Sequence, residues 1–167
     1  MLEIFHIKSA IGTIKLTISD VGLKSISFLT DDGGSLEEYI SERAKPYKDQ
    51  LEEYFSGERK SFSLPLDLTE LPPFHRDVLK MVYTIPYGKT RSYKQIAVAL
   101  GNAKAARAVG QANGNNPIPI VIPCHRVIGN RGELTGYAYG TNLKMRLLEL
   151  ENPLTFVQQI DLFDSLV

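Results

Sequence analysis

The residues best suited to covalent chemistry lie side by side as Cys124, His125 and Arg126. A thiolate is a far stronger nucleophile than a thiol, so a reactive Cys124 needs a base or a positive field nearby, and both follow it directly. Consecutive side chains usually point apart, however, and free cysteine is among the most buried residue types. The sequence therefore leaves two interpretations of Cys124, a nucleophile and a buried structural residue.

Cys124 is the single cysteine among 167 residues, so no internal disulfide can form, and a reducing cytoplasm is the expected compartment. Three histidines, His6, His75 and His125, stand far apart and, with one cysteine, match no structural zinc spacing. We therefore expect no metal ion and no cofactor. No apolar run is long enough to span a membrane, and residues 1–4 lack the basic and apolar regions of a secretory signal, so we expect a cytoplasmic protein. We also expect it to be a monomer.

Basic charge is concentrated in one part of the chain, although the net charge is zero. Residues 1–74 hold 8 Lys and Arg against 13 Asp and Glu, whereas residues 75–151 hold 11 against 4. A chance fluctuation would also produce such a distribution, but a basic block is where phosphate binding is expected. Any contact with nucleic acid is therefore predicted for residues 75–151.

The first part of the chain, residues 1–73, is predicted to form an acidic α/β domain and a connector without evident chemistry. Alternation of apolar and polar residues predicts strands, and helical spacing predicts helices between them. The strands are expected at 2–8, 14–18, 23–29 and 60–66, and the helices at 35–44 and 46–56. This order predicts a small antiparallel sheet with helices.

The second part, residues 74–152, is predicted to be mostly helical, and residues 153–167 form a separate tail. Helical spacing places helices at about 74–84, 93–100, 103–112 and 142–151. Ser92 is suited to cap the second helix and Gly101 to end it, and the tight turn into the third is typical of a helix-turn-helix. The small residues of 103–110 would allow a close approach to DNA, but they equally suit a close-packed helix pair.

The stretch from Arg91 to Tyr137 closely resembles the O6-alkylguanine-DNA alkyltransferase family. The matching motifs are Ser92-Tyr93-Lys94-Gln95, Gly101 to Gly110, Asn116-Pro117-Ile118-Pro119-Ile120 and, most specific of all, Ile122-Pro123-Cys124-His125-Arg126-Val127. The resemblance implies a ribonuclease H-like α/β N-terminal domain and a mostly α-helical C-terminal domain with a helix-turn-helix. It also implies that the chain binds double-stranded DNA, flips out an O6-alkylguanine and moves the alkyl group irreversibly to its own cysteine. Activity on O4-alkylthymine stays open.

The same resemblance implies a catalytic set of four residues. Cys124 would accept the alkyl group, and His125 would take the thiol proton through a bound water. Glu151 would orient and charge that histidine, so that nucleophile, base and orienting acid act in sequence. Asn116 would stabilise the Asn-Pro turn beside the site.

Further residues are implied in binding. Tyr93 would crowd the target phosphate, and Arg107 would fill the space left in the base stack. Tyr137 and the backbone of Ala138 would bond guanine O6. The remaining positions that resemble contact residues of the family are Pro119 and Val127 at the substrate, and Lys104, Ala106 and Gly110 at the DNA.

Two departures from the family bear on these roles. Tyr139 stands where many members have glycine, which leaves the accepted size of the alkyl group open, and Ala138 offers no hydroxyl. Non-reacting binders of alkylated DNA are one alternative, but they replace the acceptor cysteine that this chain keeps as Cys124. A Cys–His hydrolase is another, and it would not explain a helix-turn-helix that carries Arg107.

The tail carries a last motif, Gln159-Ile160-Asp161-Leu162-Phe163. It resembles the short Gln-Leu-(Ser/Asp)-Leu-Phe peptide with which bacterial DNA-processing proteins bind the replication sliding clamp. An amphipathic terminal turn folded onto the protein would show the same pattern. The resemblance implies a bacterial sliding clamp as a second partner.

Overall fold

The computed structural model describes residues 1–30 and 39–154. Its N-terminal part is built on an antiparallel sheet in which β1 (Glu3–Ser9), β2 (Gly12–Ile18) and β3 (Leu23–Leu29) lie in chain order. Because successive side chains of a strand point to opposite faces, most apolar residues fall on one face and are buried there. The three strands predicted at 2–8, 14–18 and 23–29 are confirmed.

Helix α1 (Lys45–Phe55) confirms the helix predicted at 46–56. It buries Tyr47, Leu51 and Tyr54, whose spacing places them on one face, in the same core as the sheet. The prediction of a helix at 35–44 is wrong for residues 39–44, the part of that range that the structure describes. Residues 39–44 lead into a turn and contain no helix. The helix starts only at Lys45 because Pro46 lacks an N–H and is tolerated only in a first helical turn.

Residues 60–66 form no strand, contrary to the prediction. Their pairing is an isolated bridge between Leu66 and Leu23, with hydrogen bonds from Leu23 N to Pro65 O (2.9 Å) and from Asp67 N to Leu23 O (2.8 Å). Pro65 offers no N–H to a ladder, so the pairing does not extend through it. The segment is a connector that touches the sheet at one point.

The C-terminal part confirms the four predicted helices. They are α2 (Pro73–Tyr83), α3 (Tyr93–Ala99), α4 (Ala106–Gly114), which follows a 3₁₀ turn at Ala103–Ala105, and α5 (Thr141–Glu151). Ser92 and Gln95 form a reciprocal cap on α3, in which Gln95 N donates to Ser92 Oγ at 3.1 Å and Ser92 N donates to Gln95 Oε1 at 2.8 Å. Gly101, with a φ of 84°, turns the chain after α3 towards α4.

Three short elements without a clear sequence signal form the reactive segment and its surroundings. A one-turn 3₁₀ helix covers Cys124–Arg126, and β4 (Arg91–Ser92) pairs in parallel with β5 (Val127–Ile128) directly after it. The sheet and the C-terminal helices share one continuous apolar core. Over the described ranges, no helix combines the length and apolarity that a membrane crossing requires.

Candidate active site

Cys124 lies on the one-turn 3₁₀ helix, with 4% of its surface exposed. The loop that leads to it is tied by Asn116, whose Nδ2 donates to Ile122 O at 2.8 Å and whose Oδ1 accepts from Ile118 N at 3.0 Å. Ile120 in this loop has a φ of 73°, a conformation that costs a residue with a side chain about 1–3 kcal/mol. Asn116 therefore holds a strained loop directly before the cysteine.

Glu151, the last residue of α5, is a buried carboxylate surrounded by donors. Its Oε1 accepts from His125 Nε2 at 2.7 Å, from the Tyr54 hydroxyl at 2.7 Å and from Arg126 at 2.9 Å. Its Oε2 accepts from Arg126 Nε at 2.8 Å and from Gly88 N at 3.2 Å. Burial alone would raise the pKa of Glu151, but the hydrogen bonds and charges of His125 and Arg126 outweigh it and hold that pKa at about 2. Glu151 is therefore ionised at neutral pH.

The ionised Glu151 determines which ring nitrogen of His125 carries a proton. Complete burial lowers the pKa of His125 against the opposing effect of Glu151, and the charges of Arg126 and Lys144 add to the lowering. The ring is thus neutral at neutral pH. An ionised carboxylate can only accept, so the ring proton lies on Nε2 and Nδ1 keeps a free lone pair. In the part of the chain that the structure describes, Nδ1 has no hydrogen-bond partner.

Arg126 is a site residue whose role sequence reasoning missed. Two of its N–H groups bind Glu151 and a third donates to Ile85 O at 2.6 Å, while only 7% of the side chain is exposed. Arginine stays charged even when buried, so it keeps Glu151 ionised whether or not His125 is protonated. The sequence does hold a feature that could have indicated this role: Arg126 is the one permanently charged residue in the apolar run from Ile118 to Ile128.

The thiol of Cys124 is protonated in the resting protein. Burial raises the pKa of the thiol, although the side chains of Asn116 and Tyr137 and the charge of Lys144 oppose that rise. A reactive thiolate therefore requires a base and does not form by exposure to water. The hydroxyl of Tyr137 is also buried; it forms no well-aligned hydrogen bond with the residues described, and its polar coupling is to the Cys124 sulfur.

Lys144 is a second residue that sequence reasoning missed. It is fully buried, and its Nζ donates to Val127 O at 2.5 Å and to Thr135 O at 3.2 Å. Burial lowers the pKa of Lys144 to about 8, an effect that a thiolate at Cys124 would oppose, and Lys144 is mostly charged at neutral pH. The sequence feature that could have indicated Lys144 is helical spacing, which places this charged residue on the same face of α5 as Leu147 and Leu148. The buried residues of that helix are Lys144, Leu147, Leu148 and Glu151.

Aromatic residues predicted to bind the substrate lie near this lysine. Tyr93 donates from its hydroxyl to Thr135 O at 2.9 Å, which joins α3 to the loop before Tyr137. Lys144 Nζ lies 5.9 Å from the ring centre of Tyr93 and 6.0 Å from that of Tyr137, and the rings of Tyr137 and Tyr139 are 6.0 Å apart. Of the other positions predicted to contact the substrate, Pro119 and Val127 are buried and Ala138 is exposed.

Four of the five residues predicted to contact DNA lie within α4 and the turn before it, and the fifth, Tyr93, lies on α3. Lys104 and Arg107 are exposed, and Ala106 and Gly110 are partly exposed. The ring of Tyr93 packs over Gly110, where a Cβ atom would lie 3.6 Å from it. Over the described ranges, no acidic side chain pairs with Arg107. Its guanidinium is therefore available to a ligand.

Two further predictions concern a metal ion and the tail. In residues 1–30 and 39–154, no group of three His, Cys, Asp or Glu side chains is placed to hold a metal ion. The sliding-clamp motif at 159–163 lies outside the described residues.

Both parts of the chain match one protein family. Residues 5–68 match the 6-O-methylguanine DNA methyltransferase, ribonuclease-like domain, and residues 73–153 match the 6-O-methylguanine DNA methyltransferase, DNA binding domain. The resemblance that the sequence motifs indicated is confirmed, and so is the predicted fold class of an α/β domain followed by a helical one.

Individual proteins agree with this match. The methylated-DNA–protein-cysteine methyltransferase of Methanosarcina barkeri is 47% identical over 153 residues, which cover 87% of this chain and 94% of that protein. The enzyme of the same name from Mycolicibacterium paratuberculosis is 43% identical over 154 residues, which cover 90% and 93% of the two chains. The crystal structure of Mycobacterium tuberculosis OGT in complex with DNA is similar with a TM-score of 0.79 at 44% identity, covering 90% of this chain and 92% of that one. This chain therefore belongs to the 6-O-methylguanine DNA methyltransferase family.

Proposed function

We propose that this protein repairs DNA by direct reversal, moving the alkyl group of O6-alkylguanine in duplex DNA onto Cys124. The observation that carries the proposal is the buried arrangement of His125 and Glu151 beside the cysteine. Nδ1 of His125 has a free lone pair, while Nε2 is bonded to an ionised carboxylate. Nucleophile, base and the group that orients the base are therefore all present.

The reaction starts with the thiol proton. Because burial keeps the pKa of Cys124 high, the proton must be taken by a base, and Nδ1 of His125 accepts it through a bridging water. Glu151 stabilises the imidazolium that forms. The sulfur then attacks the alkyl carbon, so that an S–C bond forms and the bond from that carbon to O6 breaks, with its electron pair passing to the guanine.

The guanine leaves more readily if its O6 receives a hydrogen bond or a proton. The Tyr137 hydroxyl is suited to this role because it is buried, is coupled to the Cys124 sulfur and forms no well-aligned hydrogen bond with the described residues, and Lys144 adds positive charge 6.0 Å from its ring centre. The thioether left on Cys124 is too stable to hydrolyse. Each protein molecule therefore reacts once.

The direct test is mass spectrometry of the intact protein after incubation with an O6-methylguanine duplex. We expect one added methyl group, located on Cys124 by peptide mapping, and no second turnover when the duplex is in excess. Unmodified protein that nevertheless binds the alkylated duplex would instead identify a non-reacting binder. Repeated turnover would indicate a hydrolase.

Arg107 supports a second part of the proposal, the rotation of the damaged nucleotide out of the helix. In-line attack by a buried sulfur requires the base outside the stack, and extrusion costs a few kcal/mol. Arg107 is exposed on the first turn of α4 and has no acidic partner over the described ranges, so it can occupy the vacated space. Tyr93 and Lys104, near the same helix, are proposed to contact the backbone of the target strand.

Replacing Arg107 with alanine should slow repair of duplex DNA by about tenfold or more, which corresponds to at least 1.4 kcal/mol. Attack on free O6-methylguanine base should be nearly unchanged, because the free base needs no extrusion. Single-turnover rates with both substrates measure this. Lys104→Ala is the matched control, since it removes an exposed charge without an inserted side chain and should weaken DNA binding alone. Equal slowing on duplex and free base would contradict the role of Arg107 in extrusion.

We also propose that the tail segment Gln159 to Phe163 binds a bacterial sliding clamp. The support is the sequence motif, in which Leu162 and Phe163 supply two adjacent apolar side chains of the kind that enter a pocket. Such a contact would bring a single-use protein to newly replicated DNA.

Changing both Leu162 and Phe163 to alanine should weaken clamp binding by about tenfold or more, because each removes a large apolar side chain worth about 1.5–3 kcal/mol when buried. Titration of the full chain against a purified bacterial clamp measures the affinity. Asp164→Ala, just beyond the motif, is the control and should bind as the parent does. A double variant with unchanged affinity would remove the proposal.

A further inference from the structure

Tyr54 brings the N-terminal part of the protein into direct contact with the reacting groups. It lies on α1, is fully buried, and donates from its hydroxyl to Glu151 Oε1 at 2.7 Å. That oxygen is the one that also accepts from His125 Nε2. The tyrosine and the histidine are thus bonded to one atom, although 71 residues separate them in the chain.

The ring of Tyr54 is held in place by its neighbours. Phe55, Phe62 and Tyr87 lie 5.4, 5.5 and 6.1 Å from it, measured between ring centres. Burial is the main cause of the strongly raised pKa of Tyr54, and the adjacent charge of Glu151 adds to it. The hydroxyl therefore stays protonated at any physiological pH and acts only as a donor towards the carboxylate.

We propose that Tyr54 is a positioning residue for alkyl transfer, whose hydroxyl holds Glu151 in the orientation and degree of charge that His125 requires. This inference rests on the proposed function of Cys124 and His125. Five hydrogen bonds reach a carboxylate that has about four lone-pair sites, so each donor takes a share of its charge. Without the tyrosine, Glu151 would turn more of its charge towards His125 and would be less firmly oriented.

Other contacts indicate that the N-terminal part supports the site at more than one place. Ile26 on β3 donates from its N–H to Pro117 O at 2.9 Å, in the loop before the cysteine. Its carbonyl accepts from the Tyr139 hydroxyl at 3.4 Å, and Phe28 packs edge-on against the Tyr139 ring at 4.5 Å. These contacts hold loops, whereas Tyr54 alone among these residues bonds to a group that faces the base.

The titratable and charged groups around this unit set the expected pH effect. Tyr54 faces Glu151, Arg126 and Tyr87, and His125 faces Glu151, Arg126 and Lys144. Deleting the Tyr54 hydroxyl removes its hydrogen bond to Glu151 and leaves the other interactions of these groups in place. With one hydrogen-bond donor fewer, more of the negative charge of Glu151 faces His125 and stabilises its protonated form, so the pKa of His125 should rise.

Tyr54→Phe is therefore expected to slow methyl transfer by about tenfold and to move the acid limb of the rate–pH profile upward by about half a pH unit. The rate falls on the acid side because protonated His125 cannot accept the thiol proton. The matched control is Tyr47→Phe on the same helix, since Tyr47 is buried and its hydroxyl has no hydrogen-bond partner among the described residues. The control should leave both the rate and the acid limb unchanged.

A second variant retains the hydroxyl. Incorporation of 3-fluorotyrosine at position 54 makes the phenol a stronger donor and should move the acid limb downward, opposite to the effect of phenylalanine. Loss of thermal stability in Tyr54→Phe without a shift of the acid limb would overturn the inference, because a merely structural residue would behave in that way. If the parent protein itself gains no methyl group, the proposed function fails first. If the parent reacts and Tyr54→Phe matches Tyr47→Phe, only this inference fails.

Discussion

Replacing Cys124 with alanine should abolish alkyl transfer completely while the affinity for alkylated duplex DNA stays within about threefold, less than 1 kcal/mol. The sulfur is the one atom of the proposed mechanism for which no neighbour can substitute, since His125 and Glu151 serve only to remove its proton. The side chain is small, and the exposed basic residues proposed to bind DNA lie on other elements, Lys104 in the 3₁₀ turn and Arg107 on α4. Loss of the thiol therefore separates reaction from binding.

Intact mass after incubation with methylated duplex measures the reaction, and a gel-shift or fluorescence titration measures the binding. Cys124→Ser is the matched control. It preserves the shape of the residue, and it should also be inactive because a hydroxyl is a much weaker nucleophile than a thiolate. A methyl adduct anywhere on the alanine variant would show that Cys124 is not the acceptor.

Arg126→Met should destabilise the protein by about 3–5 kcal/mol and remove its activity. The variant leaves the carboxylate of Glu151 buried without the cation that binds it through two hydrogen bonds, and it also deprives Ile85 O of its donor. Denaturant unfolding measures the loss. The double variant Arg126→Met with Glu151→Gln removes both charges and should recover part of the stability but none of the activity. If the single and double variants were equally stable, the loss of stability in Arg126→Met could not be due to the broken ion pair.

The ion pair of Arg126 and Glu151 also determines how the stabilities of the parent protein and of Arg126→Met depend on pH. In the parent, the folded-state pKa of Glu151 is about 2, below the usual 4.5, so the pair stabilises the fold above about pH 4.5 and this contribution is lost as the pH falls towards 2. In Arg126→Met the part of this lowering that Arg126 supplies is removed, while the larger part that His125 supplies remains. The stability difference between the two proteins should therefore shrink as the pH is lowered through that range.

Local sequence signals were sufficient for most of the secondary structure. Alternation predicted the three paired strands, and the Ser92 cap with Gln95 three residues later predicted the start of α3. The two failures have one cause. Pro46 and Pro65 each lack an N–H, which keeps residues 39–44 out of α1 and reduces the strand predicted at 60–66 to a single bridge. In both places the missing N–H of the proline outweighs the local apolar pattern.

By itself, the sequence determined which chemistry is available: one thiol, an adjacent histidine, a basic helical block and a family resemblance that named Glu151 as their partner. Only the tertiary structure decided how those groups are charged. It brought Arg126, Tyr54 and Gly88 onto the carboxylate of Glu151 and buried Lys144 on the apolar face of α5. The physical reason is that protonation depends on burial and on neighbours up to 97 residues distant in the chain, and neither quantity is a property of a local segment.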